Sequence, residues 1–290
     1  MALNRRRPNL FVIGAMKAGT TSLHAYLAEH PQIFMSAYKE PCYFNEELRW
    51  SKGEDWYLGL FAGADSERFV GESSTTYTMQ PKYTGVVEKL ERFAPEARIV
   101  YLLRDPIDRI VSHYWYAVTG YGERRDMMTA VRENPNYVDF SRYAVQLEPY
   151  LSRFGRERIY IMTLEALHRE PRDAMRDLLV WLGVDPAVES LDLSVQMNVT
   201  PQKLQRARGG GLLNRFRYSR LWEQVAPSVP PMIRQAATRL ALRREDRPVQ
   251  PVEQVEAYLR PILAGEVSRL SQMLGRDFPE WRRLCGSKES

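Results

Sequence analysis

Two cysteines, Cys42 and Cys285, are all that the 290 residues contain, too few for a disulfide framework or a cysteine-based zinc site. Four histidines, His24, His30, His113 and His168, lie apart, without the spacing to cysteine or carboxylate that a metal site needs. No apolar run approaches the ~20 residues that cross a bilayer. The opening MALNRRRPN carries arginines but no separate apolar stretch or small-residue cleavage site. A secretory signal is therefore not expected, and the cytoplasm is the default location. Internal repeats are lacking too. What remains is a globular composition, 44% hydrophobic and 27% charged, on a chain long enough for one large α/β core.

The stretch around which the chain is organised is Asn9–His30. Leu10-Phe11-Val12-Ile13 suits a buried strand. Gly14 breaks the run, Gly14–Ser22 forms a turn, and from Thr21 a helical spacing places Leu23, Tyr26 and Leu27 on one face. A strand, a glycine-containing loop and a helix N-terminus form an anion cradle, because unpaired backbone N–H groups converge there with the helix dipole behind them. Lys17 adds a cation, and Thr20, Thr21 and Ser22 add hydroxyls. A nucleotide-binding P-loop reads G-x-x-x-x-G-K-[ST]. Gly14 and Gly19 keep that spacing, but Thr20 stands in the lysine position and the lysine lies inside the loop. That argues against an ordinary nucleoside triphosphatase or nucleotide kinase.

Further strands are expected at Gln32–Met35, Arg68–Glu72, Ala97–Leu103 and Arg158–Thr163. Helices are expected at Lys82–Phe93, Ile107 to about Val118, Phe140–Phe154, Arg172–Leu182 and Val252–Leu274, the last with Pro261 as a candidate interruption. Thr119–Asp139 is polar, contains glycines and a proline, and reads as loop. Strands alternating with helices predict an α/β fold. Its sheet should be central and mainly parallel, flanked by helices, with a P-loop-like first βα unit, a helical C-terminal appendage and ligands at the carboxyl ends of the strands. One domain over 1–290 is expected, with a core at about 9–200, a basic helical segment at about 203–247 and a C-terminal helix at about 250–281.

A second candidate site lies in Tyr101–Ser112. Arg104 ends a buried strand, Asp105 can cap the helix that follows, and Pro106 fits its first position. Ser112 is about two helical turns on. An arginine fork and a hydroxyl can hold a phosphate dianion. The alternative is a surface arginine and a small packing residue.

GAMKAGTTS resembles the 5′-phosphosulfate loop of sulfotransferases that use 3′-phosphoadenosine 5′-phosphosulfate (PAPS), and LLRDPIDRIVSHY resembles their 3′-phosphate motif. The chain is thus identified as a member of the PAPS-dependent sulfotransferase family, with a bacterial member of the heparan-sulfate-type branch as the expectation. The resemblance covers roughly Asn9–Gly183 and returns faintly at LGRDFPEW. It implies that Lys17, Ala18, Gly19, Thr20, Thr21 and Ser22 hold the phosphosulfate and that Arg104 and Ser112 hold the 3′-phosphate. No metal is implied, since Lys17 and the loop amides can neutralise the leaving phosphate. Tyr38–Phe44 resembles the segment carrying that branch's catalytic glutamate, which makes Glu40 the expected base. Cys42, Asn45 and Ser73 stand where members of that branch have histidine, aspartate and lysine. His113, next to Ser112, is the rival base, but neighbouring helical residues point about 100° apart, which turns it from the phosphate.

Charge is uneven. Lys203–Arg247 holds eleven Lys/Arg against three Asp/Glu, a local +8 in a chain of net +5. It follows Asn198-Val199-Thr200-Pro201, which resembles the stretch before the donor-closing loop of related enzymes. Arg206, Arg208 and Arg243 can supply cations to the 3′-phosphate. Leu212, Leu213, Phe216 and Leu221, flanked by Arg215, Arg217 and Arg220, can form a surface for anionic lipid. A solvated face with snorkelling arginines is the third reading. A nucleic-acid-binding protein would explain the basic segment but not the cradle, and no motif of that kind is present. The acceptor is not readable from the sequence.

Overall fold

The computed structural model describes residues 6–189, 191–193, 203–207 and 242–285. Five strands, β1 (Leu10–Gly14), β2 (Ile33–Met35), β3 (Phe69–Ser73), β4 (Arg98–Leu103) and β5 (Ile159–Thr163), form one sheet in the order β2-β3-β1-β4-β5. Every neighbouring pair is parallel, with Leu10 opposite Gly71 on one side of β1 and Arg98 on the other. β1 is buried at all five positions and β4 at all but its first, as strands covered on both faces should be. The alternation of strands and helices was therefore a sound guide to fold class.

The α-helices among the described residues are α1 (Thr20–Ala28), α2 (Gly53–Gly59), α3 (Val86–Phe93), α4 (Pro106–Gly120), α5 (Met127–Glu133), α6 (Asn136–Asp139), α7 (Tyr143–Phe154), α8 (Leu164–Arg169), α9 (Pro171–Leu182), α10 (Val252–Leu274) and α11 (Arg282–Cys285). α4 starts as its sequence dictates: Asp105 Oδ1 accepts from the N–H groups of Ile107 (2.9 Å) and Asp108 (3.4 Å). α3 begins later than expected because Gly85, in a left-handed conformation, marks its start. α10 runs through Pro261 without a break.

The loop expected over Thr119–Asp139 is largely helical. α4 extends to Gly120, and α5 follows with Asp126 accepting from the Thr129 N–H at 3.0 Å and with Met127, Ala130 and Val131 buried. Polar composition hid a short, well-capped amphipathic helix.

The chain divides into two compact units, one of residues 1–114, 126–199 and 251–290, the other of 115–125 and 200–250. In the second unit, β6 (Lys203–Ala207) and β7 (Leu242–Asp246) pair antiparallel, Arg206 opposite Arg243. Both ends of the expected helical segment are therefore strands. Each finds its partner about 40 residues away, a long-range pairing that local composition does not report. Asn198–Pro201, Arg208 and the apolar edge at Leu212–Leu221 lie outside the described residues.

Candidate active site

β1 is central, with β3 and β4 beside it, so the loops leaving these strands share one rim. The loop after β1 is tied down at both ends, Ala15 N–H donating to the Leu102 carbonyl (2.6 Å) and Ala18 N–H to the Ala15 carbonyl (3.1 Å). Gly19, at φ 91° immediately before α1, leaves no room for a side chain: a Cβ there would lie 2.6 Å from Leu164 Cδ1. A Cβ on Gly14 would strike the Thr78 hydroxyl. Thr20 and Ser22 are buried in the first turn of α1, where intrahelical acceptors for N–H groups run out.

The two sequence motifs meet here. Arg104 Nη1 donates to the Lys17 carbonyl at 3.2 Å across 87 residues of sequence. Burial, and then the charge of Arg104, lower the pKa of Lys17. Two cations held together at a glycine loop and a helix N-terminus fit an anion of more than one charge. Arg104 is itself fixed, its carbonyl accepting from Tyr143 Oη at 2.8 Å. Ser112 is buried farther along α4.

Glu40 reaches the same rim through the segment that leaves β3. Ser74 N–H donates to Val12 O (3.0 Å) and Thr78 Oγ1 to Ile13 O (3.0 Å), which lays residues 74–78 along the end of β1. Glu40 docks on that segment. Its N–H donates to Ser73 O (3.0 Å), and its Oε2 accepts from Thr75 N–H (2.8 Å). Lys39 Nζ donates to Oε1 at 2.6 Å, while the side chain stays 34% exposed and so open to an acceptor.

His113 is turned elsewhere. It packs on Tyr137 (4.4 Å between centroids) and Phe140 (5.9 Å), and burial, with the charges of Arg109, Lys17 and Lys82, pushes its pKa down to about 2. His24 bridges Ser73 Oγ (2.8 Å) and the Ser36 carbonyl (3.1 Å), and burial and then Lys39 lower it to about 4. Side-chain positions of Arg206 and Arg243 are outside the described residues, as is Arg208 altogether. Among the described residues no group of three or more His, Cys, Asp and Glu is placed to hold a metal, and no helix is long and apolar enough to cross a membrane.

Sequence reasoning missed two residues. Arg49 Nη1 donates to the carbonyls of Glu40 (2.5 Å) and Pro41 (2.9 Å). Glu72, fully buried at the end of β3, accepts from Tyr57 Oη (3.0 Å), Tyr77 Oη (2.6 Å) and Ser74 Oγ (2.6 Å). Burial is the first cause that raises its pKa, to about 7, against those three hydrogen bonds and with a smaller push from Glu40. The signal was present: a carboxylate ending an apolar strand, followed by four hydroxyl residues.

Residues 7–205 match the family model described as "Sulfotransferase domain". The chain is similar to the mouse protein "Bifunctional heparan sulfate N-deacetylase/N-sulfotransferase 4", 26% identical over 305 residues that cover 95% of this chain and 31% of that one. It is similar to the "Membrane-associated sulfotransferase kil1" of Dictyostelium discoideum, 35% identical over 114 residues, 38% of this chain and 23% of that one. The chain thus spans less than a third of the length of these curated relatives. Among solved structures, a sulfotransferase from Alicyclobacillus acidocaldarius superposes with a TM-score of 0.68 at 25% identity, covering 96% of this chain and 99% of that one.

Proposed function

Because the chain belongs to the sulfotransferase domain family, we propose that Lys17, Arg104, Ser112 and Glu40 divide the work of one sulfuryl transfer on this rim. The reaction is the family's: a sulfuryl group passes from PAPS to an acceptor and leaves adenosine 3′,5′-bisphosphate (PAP). The observation that carries the assignment is the contact between Arg104 and the Lys17 carbonyl, which joins the two phosphate motifs into one cationic cradle.

Residues 17–22 hold the phosphosulfate, and Arg104 with Ser112 holds the 3′-phosphate. The acceptor hydroxyl or amine gives its proton to Glu40 as its oxygen or nitrogen bonds to sulfur. The bond from sulfur to the 5′-phosphate oxygen breaks, and Lys17 with the loop amides takes up the charge on that oxygen. Three features support Glu40 over His113: its exposure, its anchoring on the segment beside β1, and an imidazole whose lowered pKa makes it a weak base. The acceptor class is a small molecule, lipid or carbohydrate. Both compact units belong to one P-loop-like sulfotransferase domain spanning 1–290, bacterial and cytoplasmic, with 203–247 as a surface for anionic membrane or a source of cations for the donor through Arg206, Arg208 and Arg243. A nucleotide kinase and a nucleic-acid-binding protein are not favoured.

The test is Glu40→Gln, which keeps the side chain's shape and removes its basicity. Turnover of labelled PAPS with lipid, sugar and phenolic acceptors falls about 10²–10⁴-fold, the range of general-base loss. Affinity for PAP stays within a few fold of wild type. Near-normal turnover in Glu40→Gln beside an inactive His113→Ala would move the base to the histidine.

A further inference from the structure

Glu40 sits in a conformation that its own sequence does not favour. Among the described residues, three other than glycine have positive φ: Lys17 at 69°, Glu40 at 59° and Cys42 at 51°. Left-handed backbone is unfavourable for residues with a Cβ and persists where surrounding groups over-determine it. Around Glu40–Cys42 those groups are Arg49, which donates to the Glu40 and Pro41 carbonyls, and the exit of β3. Ser73 O accepts from Glu40 N–H (3.0 Å), Thr75 N–H donates to the Glu40 carboxylate (2.8 Å), and Ser74 Oγ accepts from Cys42 N–H (2.9 Å).

Ser74 can present a lone pair to Cys42 only if its proton points elsewhere. Glu72 Oε2 takes that proton at 2.6 Å. The other oxygen of Glu72 holds the next part of the segment. Tyr57, which donates to it, stacks on Tyr43 at 4.3 Å and 8°, and Tyr77, which also donates to it, meets the Phe44 N–H at 3.5 Å. One buried carboxylate therefore orients three hydroxyls, and each of the three bears on residues 42–44.

We infer that Glu72 is a positioning residue for Glu40: through Ser74 and the two tyrosines it holds the Glu40–Cys42 turn in its left-handed form and so aims the Glu40 carboxylate. Glu72 touches no reacting atom. The inference rests on Glu40 as the base proposed above, and it has a readout that does not.

Cys42 reports the turn directly. It is buried, and burial raises its thiol to about 11, so alkylation in the native state is slow. The experiment places Glu72→Gln, Ser74→Ala and the double variant in a Cys285→Ser background and measures the rate of Cys42 labelling by iodoacetamide. PAP is kept in excess to suppress global opening. Loss of label from PAPS to water is followed in a separate assay without PAP. Each single variant should label about tenfold faster, because a return of the thiol to its ordinary pKa raises the thiolate fraction while lowering its intrinsic nucleophilicity by part of that gain. The double variant should label no faster than either single one, because both cut the same link. Transfer to water should fall in both singles while PAP affinity holds within a few fold. Wild-type labelling in Glu72→Gln while Ser74→Ala opens the turn, or rate increases that multiply in the double variant, would overturn the role of Glu72. Normal transfer in Glu40→Gln would instead sink the base assignment and leave the labelling result standing.

Discussion

Burying Glu72 has a thermodynamic signature that can be worked out from its surroundings. Its carboxyl titrates at about 7 in the folded chain, against 4.5 ordinarily. Between those values the folded state binds more protons than the unfolded one. Stability from this group is thus fully present below pH 4.5 and lost as pH rises through about 7. At about 1.36 kcal/mol per unit the loss amounts to about 3 kcal/mol. Wild-type curves alone hide it. His24 and His113, lowered to about 4 and about 2, act in the opposite sense, because the unfolded chain takes up their protons as pH falls through 6.5. The difference between Glu72→Gln and wild type cancels the histidines. From pH 5 to pH 8, which spans most but not all of that titration, the variant should gain about 2–3 kcal/mol on wild type, a little under 1 M in urea midpoint at a slope near 3 kcal/mol/M. Urea titrations followed by tryptophan fluorescence measure it. A difference that stays constant across that range to within about 1 kcal/mol would show that Glu72 does not carry a raised pKa, and the reasoning from burial would fall.

Arg104→Ala should weaken PAP by about 2–4 kcal/mol and adenosine 5′-monophosphate much less; equal losses in calorimetry would remove the 3′-phosphate assignment. Lys17→Ala should lower turnover at saturating PAPS by more than it lowers donor affinity, and normal turnover there would reduce Lys17 to a ground-state contact. If 203–247 meets anionic membrane, the chain should co-sediment with anionic vesicles and less so as salt rises, and partitioning indifferent to lipid charge and salt ends that proposal.

What the sequence disclosed was what local chemistry determines. The P-loop-like first βα unit followed from one apolar run, two glycines and a helical spacing, and the start of α4 from Asp105-Pro106. The meeting of Arg104 with Lys17 was foreseen only in that Arg104 ends a strand and ligands were expected at the strands' carboxyl ends. What escaped depends on partners distant in sequence. Arg49 folds back onto Glu40 across nine residues, and β6 finds β7 across an intervening segment. Glu72 ended a strand in plain view, yet its raised pKa comes from burial, against the hydrogen bonds of Tyr57, Ser74 and Tyr77. Burial is a property of the assembled chain.

Asp105 has a second oxygen, and where it points affects when this protein becomes itself. Oδ1 starts α4, while Oδ2 accepts from the N–H groups of Arg283 (2.9 Å) and Leu284 (3.2 Å), 178 and 179 residues away. Trp281, wholly buried, packs against Tyr143, whose hydroxyl holds the Arg104 carbonyl. A chain emerging from the ribosome would carry the whole family-matching stretch, 7–205, before these partners exist. Until they arrive, Asp105 Oδ2 lacks these two donors and Tyr143 lacks the ring that packs against it. The setting of this strand end is therefore completed only once residues 281–284 have been made, and the matched stretch leans on a segment that lies outside it.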